Sequence, residues 1–283
     1  MRMLIVAAGL LTFLSGAANA LAATCGGERA TIVGTPGNDV IVGTPKYDVI
    51  HGGEGNDAIS GLGSRDWICG GPGADIVRGG RGPDELVGNG GNDRLEGGAG
   101  GDTFQDGWGA DVVYAGPGFL HGIYNERGHD VYYGGSGIDA IFDGRGNDVY
   151  RTQRGDDFMY VERGVDVFLA GPGSDLVAPP QEAAAYINLQ TGVVRARGEL
   201  GSGNDTVRSV EDADGTPYDD VLIGNWADNV LYGFQGDDRI YGRGGDDLLY
   251  GNGSDEDGGV DLLDGGPDFD RCHDGTTVQN CEG

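Results

Sequence analysis

Large apolar residues recur at every ninth position along this chain: Ile41, Ile50, Ile59, Ile68, Val77, Leu86, Leu95, Phe104 and Val113. The positions between them repeat on the same count. The block around Ile59 reads Gly52-Gly53-Glu54-Gly55-Asn56-Asp57-Ala58-Ile59-Ser60. A period of nine matches neither the helical repeat of about 3.6 residues nor the strand repeat of 2. It signals stacked units, each too small to bury its own apolar face. The leading five or six residues must bend sharply, and glycine reaches positive φ without steric cost. The next three or four are short and rich in β-branched residues, with one inward side chain between two outward ones. Two units then make a turn of eighteen residues, and each strand pairs in parallel with the strand one turn away. The pattern predicts an all-β parallel solenoid.

Polar residues keep the same phase. Asp39, Asp48, Asp57, Asp66, Asp75, Asp84, Asp93, Asp102 and Asp111 stand nine apart, each two residues before an apolar one. With two units per turn they form two edges, one with Asp39, Asp57, Asp75, Asp93 and Asp111, the other with Asp48, Asp66, Asp84 and Asp102. Turns stack ~4.8 Å apart. Unit charges ~5 Å apart repel by ~3 kcal/mol at an effective dielectric near 20, unless a cation lies between them. Carboxylates together with carbonyls exposed by glycine suit a hard cation of calcium size.

These residues carry a resemblance. The repeat Gly-Gly-x-Gly-x-Asp-x-apolar-x resembles the RTX, or haemolysin-type, calcium-binding nonapeptide over most of residues 34–273. The resemblance implies a parallel β-roll with Ca²⁺ between successive turns at both edges, held by the sixth-position Asp and backbone carbonyls. The series resumes, after one extra residue near Phe119-Leu120-His121, at Asp130, Asp139, Asp148, Asp157, Asp166 and Asp175. A second block carries Asp205, Asp220, Asp238 and Asp247, with Asn229 in place of one Asp, and Asp261 and Asp270 close it. Asp pairs one turn apart give about a dozen calcium sites. Lys46 and Ser64 occupy a glycine place, and Thr152-Gln153-Arg154 and Val161-Glu162-Arg163 replace leading glycines. Such turns keep the coil while weakening the site.

The organisation follows. Residues 1–22 read as a secretory signal, with Arg2, the apolar run Leu4 to Leu14, and a small-residue cleavage site at Ala18-Asn19-Ala20 or Ala20-Leu21-Ala22. The run is short for a membrane span. Residues 23–178 form a first roll block with an N-terminal cap, and 179–199 an inserted spacer opened by Pro179-Pro180, with a hairpin around Thr191-Gly192. Residues 200–273 make the second block and 274–283 a C-terminal cap. Export places the chain where calcium is abundant and cysteines oxidise. Of the three pairings open to Cys25, Cys69, Cys272 and Cys281, the roll leaves Cys25–Cys69 and Cys272–Cys281. The ~50 Å of stack between residues 69 and 272 exceeds the ~5.5 Å that a disulfide spans. Cys272 and Cys281, nine apart, both count as inward positions. The ending Asp270-Arg271-Cys272-His273 … Asn280-Cys281-Glu282 resembles tails of secreted actinobacterial repeat proteins. The cysteines and leading signal depart from RTX toxins, so the toxin label does not transfer.

Charge completes the reading. The formal net charge is −28 and glycines number 59. Without calcium, self-repulsion and chain entropy oppose folding, so the chain is expected to fold on calcium. The acidic balance excludes a nucleic-acid partner, whose phosphates need a basic surface. The sequence carries no HExxH, GxSxG or P-loop motif, and His51, His121, His129 and His273 make no set. No catalytic role is assigned. The alternative is a calcium-dependent lyase or epimerase acting on polysaccharide, which calls for longer turns and a basic cleft. Outward ninth positions hold Tyr114, Tyr133, Phe142, Tyr160, Tyr232, Tyr241 and Tyr250. Their rings either brace neighbouring strands or offer a face to cell-wall or extracellular polysaccharide. A structural or adhesive extracellular role is the expectation.

Overall fold

The computed structural model describes residues 2–5, 23–196, 204–252 and 259–282. The cleavage site expected at residues 18–22 and the insertion at 254–256 lie outside them. The chain divides into two compact units, Met1–Gly137 and Ile138–Gly283. No helix occurs among the described residues, so none is long and apolar enough to cross a membrane.

In the first unit the strands fall into two parallel sheets, visited alternately. One contains Asp39–Val42, Ala58–Gly63, Ile76–Arg81, Arg94–Ala99, Val112–Gly116 and Val131–Ser136. The other contains Ile32–Val33, Val49–His51, Trp67–Pro72, Glu85–Gly90, Thr103–Gly109 and Leu120–Tyr124. Ile41 pairs with Ile59, Ile59 with Val77, Val77 with Leu95 and Leu95 with Val113, a register of eighteen residues per turn. Val113 then pairs with Tyr132, one residue further on. The backbone of Arg2–Ile5 pairs in parallel with Asp39–Val42.

The eighth residue of each nonapeptide is the core. Ile50, Ile68, Val77, Leu86, Leu95, Phe104 and Val113 have no exposed surface. Each strand is three to seven residues long in this stretch of the roll, so one such residue per strand closes the interior between the sheets. The turns bend where the sequence places glycine, with Gly53 at φ +116° and Gly55 at +108°. In the next turn Leu62 and Ser64 adopt φ of 85° and 86° without being glycine. That conformation is strained for L-residues, and the neighbouring ladders hold it.

The second unit repeats the plan, with Tyr150, Met159 and Phe168 among its interior side chains. Its irregularity is a hairpin. Ala185–Asn188 and Val193–Ala196 run antiparallel to one another. Val193–Ala196 also pairs antiparallel with Asp205–Arg208, which lies parallel to Val167–Leu169. Ala185–Asn188 lies parallel to Val221–Ile223. The hairpin is thus built into one sheet, between Asp205–Arg208 and Val221–Ile223, both of which follow it in the chain. Gln181 and Glu182 form a plain turn.

Both disulfides are present, with Cα–Cα distances of 5.7 Å for Cys25–Cys69 and 5.9 Å for Cys272–Cys281. Cys25 belongs to a two-residue strand paired antiparallel with Glu28–Arg29, and packs with Val49, Cys69 and Trp67. The inward place counted for Cys281 is corrected by the last strand, where Val278 pairs with Leu263. The final turn is shorter than eighteen residues, so Cys281 falls just past the strand Thr277–Gln279.

Candidate metal centre

The sixth-position Asp side chains fold back onto the roll and are buried at every step from Asp39 to Asp270. Their backbones and carboxylates form directional ladders. In the first unit the Asp39 N–H donates to Asp57 Oδ1, Asp57 to Asp75, Asp75 to Asp93, Asp93 to Asp111 and Asp111 to Asp130, all at 2.7–2.8 Å. The second edge runs Asp48, Asp66, Asp84 and Asp102 at 2.8–2.9 Å. In the second unit Asp139 donates to Asp157 and Asp157 to Asp175, while Asp148 donates to Asp166 and Asp166 to Asp205. After the hairpin, Asp220 donates to Asp238 and Asp238 to Asp261, and Asn229 donates to Asp247 and Asp247 to Asp270.

One oxygen of each accepting carboxylate is thereby used. Oδ2 of Asp57, Asp66, Asp75, Asp84, Asp93, Asp102, Asp111, Asp157, Asp166, Asp175, Asp238, Asp247, Asp261 and Asp270 is buried without a hydrogen-bond partner. A buried unpaired carboxylate oxygen is strongly unfavourable. First-position glycines pack directly on these atoms. A Cβ on Gly61 would lie 2.5 Å from Asp66 Oδ2 and 2.8 Å from the carbonyl oxygen of Gly79, one turn on. Carboxylate and carbonyl oxygens therefore crowd the same space.

Electrostatics follow from burial. Desolvation pushes the carboxyls of Asp66, Asp93, Asp111, Asp175, Asp238 and Asp247 up to about 7, with the neighbouring Asp one turn away adding to the rise. Asp75, Asp84 and Asp102 rise to about 6, again chiefly by burial. The backbone N–H donated to each Oδ1 opposes this without cancelling it.

Three sixth-position residues stand apart. Asp39 Oδ2 accepts from the Thr35 N–H and hydroxyl at 2.6 and 2.8 Å. Asp48 Oδ2 accepts from Thr44 in the same way, at 2.6 and 2.9 Å, and Asp220 Oδ2 from Thr216. A threonine in the second position thus closes the oxygen that other turns leave open.

The ladders also contain residues that the Asp series did not single out. His121 occupies a sixth position, accepting the Asp102 N–H on Nδ1 at 3.2 Å. Counting back nine from Asp130 lands on it. Glu211, nine before Asp220, accepts the Asp175 N–H at 3.2 Å. Asp220 Oδ1 accepts the N–H of Ala185, whose place in the ladder carries no carboxylate. Fifth positions make a second, exposed ladder, in which Asn56 donates to Asn38 Oδ1 and Ala74 to Asn56 Oδ1. Finally, Asp106 and Asp143 are buried in first positions and bring a third carboxylate beside Asp111 and Asp130, and beside Asp148 and Asp166, respectively.

The RTX calcium-binding nonapeptide repeat (4 copies) matches by its family model over residues 33–68, 57–86, 69–104, 87–119, 124–159, 142–177, 199–233 and 232–256. The chain belongs to this family. No curated protein matches the sequence. The RTX repeats of this chain supply donors that fit the cation their family is named for: hard oxygen atoms only, two turns contributing, and a buried negative charge lacking a counter-charge. The match reaches both units, with copies on either side of Gly137. It also covers residues 142–177, where Gln153 at φ 78° keeps the RTX turn in shape without glycine.

Proposed function

We propose that the chain is an exported calcium-binding roll that folds on calcium and serves a structural or adhesive extracellular role. The row of buried, partnerless Oδ2 atoms along both ladders carries this reading. In it, Ca²⁺ is held by Asp57, Asp66, Asp75, Asp84, Asp93, Asp102, Asp111, Asp130, Asp139, Asp148, Asp157, Asp166, Asp175, Asp205, Asp238, Asp247, Asp261 and Asp270, with first-position carbonyls. Asp39, Asp48 and Asp220 are set aside, because threonine already serves their second oxygen. Calcium supplies the positive charge that lets neighbouring carboxylates ionise together. The disulfides support an oxidising location, and the small-residue site after an apolar run supports export. The ladders point to binding and scaffolding rather than catalysis, because each carboxylate already serves the backbone of the adjacent turn.

The test is far-UV circular dichroism of residues 23–283, titrated from chelator to ~10 mM calcium with magnesium as control, a range that spans extracellular calcium modules. A cooperative gain of β signal with calcium alone is expected. A fully folded chain in chelator at pH 7.5 would remove calcium-dependent folding.

For the adhesive part, Tyr232 and Tyr250 stack with ring centroids 4.3 Å apart and planes 2° from parallel, and His273 continues the column at 5.0 Å from Tyr250. The rings lean on each other along the strands, with Tyr232 and Tyr250 half-buried and His273 exposed. Retention on insoluble cell-wall polysaccharide should be lost in a Tyr232→Ser/Tyr250→Ser variant; equal retention would leave the column a strand brace only.

A further inference from the structure

Regular turns place glycine first, because a side chain there would strike oxygen. At Gly88 an added Cβ would meet Asp93 Oδ2 at 2.6 Å, and also the carbonyl oxygen of residue 106, one turn on. Residue 106 is the same position in the next turn, and it is aspartate. Its side chain is fully buried, with 0 % exposure. Oδ1 accepts the N–H groups of Gly107 at 2.6 Å and Glu126 at 3.0 Å. Oδ2 has no hydrogen-bond partner.

The Asp106 carboxylate lies beside a pair of ladder carboxylates. Asp106, Asp111 and Asp130 each bring one oxygen within 4.8 Å of the other two. Asp111 is 1 % exposed and Asp130 0 %. Asp111 spends Oδ1 on the Asp93 N–H and keeps Oδ2 without a partner. An ordinary step joins two carboxylates from successive turns; this one joins three, with up to three negative charges in one buried volume. Asp143 repeats the substitution beside Asp148 and Asp166. There, however, one oxygen accepts from the Tyr150 hydroxyl and the other from the Glu162 N–H at 3.0 Å. Protein donors thus serve both oxygens of Asp143, and of these two first-position aspartates Asp106 is the one with an oxygen lacking a hydrogen-bond partner.

We propose that Asp106, Asp111 and Asp130 form a distinct calcium site that fills before the ordinary steps of the ladders and empties last. The inference rests on the calcium reading of the repeats. Calcium modules gain affinity with the number of charged ligands, so a third carboxylate sets this site above its neighbours. The surrounding protein donors hold Asp106 Oδ1 in place, so its second oxygen needs little further ordering to bind.

The test is competition between residues 23–283 and a chromophoric calcium chelator, comparing wild type with Asp106→Asn and Asp106→Gly. The asparagine keeps the volume and removes the charge; the glycine restores the regular repeat. Wild type should withhold one ion at a free calcium concentration about tenfold below that needed to fill the rest. Both variants should lose that ion and keep the weaker class. A tight ion retained in both variants, or a single uniform class in wild type, overturns the proposal while leaving the calcium ladders intact. A wild type that binds no calcium fails the underlying reading itself, and this site with it.

Discussion

The backbone N–H of Asp57 donates to Oδ1 of Asp75, eighteen residues on, at 2.7 Å, while Oδ2 of the same Asp75 is buried and meets no donor. One carboxylate is thus half structural and half available. The two halves answer to different conditions, and the consequences can be separated by experiment.

Acid should replace calcium. The cation-free carboxyls of Asp66, Asp93 and Asp111 lie at about 7, above the ~3.9 of an unfolded Asp. A folded-state pKa raised in this way favours the fold below the unfolded value, and the benefit is lost as pH rises through the folded one. In chelator the β signal should therefore be greatest near pH ~4 and fall between ~4 and ~7. A dichroism spectrum in chelator that stays constant from pH 4 to 8 would contradict this.

Asp75→Asn should change sign with calcium. Asparagine keeps an acceptor for the Asp57 N–H and removes a charge whose pKa burial has lifted to about 6. Without calcium at pH 7.5 the variant should gain about 1 kcal/mol, after discounting for solvent screening. With saturating calcium it should be less stable than wild type. Urea midpoints in chelator and in 10 mM calcium check both halves; a shift of the same sign in both would refute the assignment.

Gly61→Ala probes the packing under the ladder. The added methyl would sit 2.5 Å from Asp66 Oδ2 and 2.8 Å from the Gly79 oxygen, so the turn must shift. A loss of about 2 kcal/mol is expected in calcium. An unchanged thermal midpoint would show that the two oxygens are not as close as the geometry requires.

Reducing the disulfides should act at the ends with unequal force. Cys25–Cys69 closes a separation of 44 residues and Cys272–Cys281 one of 9. Loop-closure entropy assigns about 4 and about 3 kcal/mol to them. Removing each pair by serine substitution, with thermal melts in calcium, should rank them in that order. A larger loss from the shorter loop would mean that local packing, not chain entropy, governs the ends.

Much of this was legible from periodicity. The nine-residue phase located the buried eighth residues, from Ile41 to Val113, and the sixth-position ladders, because both depend only on the length of a turn. His121 and Glu211 were reachable by the same count run backwards, but neither is Asp, and residue type hid them. The threonine closures at Asp39, Asp48 and Asp220 depend on a second-position hydroxyl reaching forward four residues, which spacing alone does not reveal. Asp106 and Asp143 lay off the Asp phase and looked like ordinary acidic residues. Their meaning rests on the first position facing inward, a fact of three dimensions. The hairpin was harder still. Asp205–Arg208 lies beside Val167–Leu169, and the intervening strands are pushed one and two places along the sheet, an order no linear pattern specifies.

The buried ladder points one way. The N–H groups of Asp39, Asp57, Asp75 and Asp93 are each satisfied by the carboxylate of the turn after, and that of Asp102 by His121 of the turn after. Removing turns from the N-terminal side of a unit leaves a carboxylate oxygen at a fresh surface, where water can serve it. Removing them from the C-terminal side leaves a backbone N–H whose acceptor is gone, inside the coil. Each turn is therefore completed by its successor. The roll is a sequence of debts settled forward, and truncations of equal length should be tolerated at its beginning and not at its end.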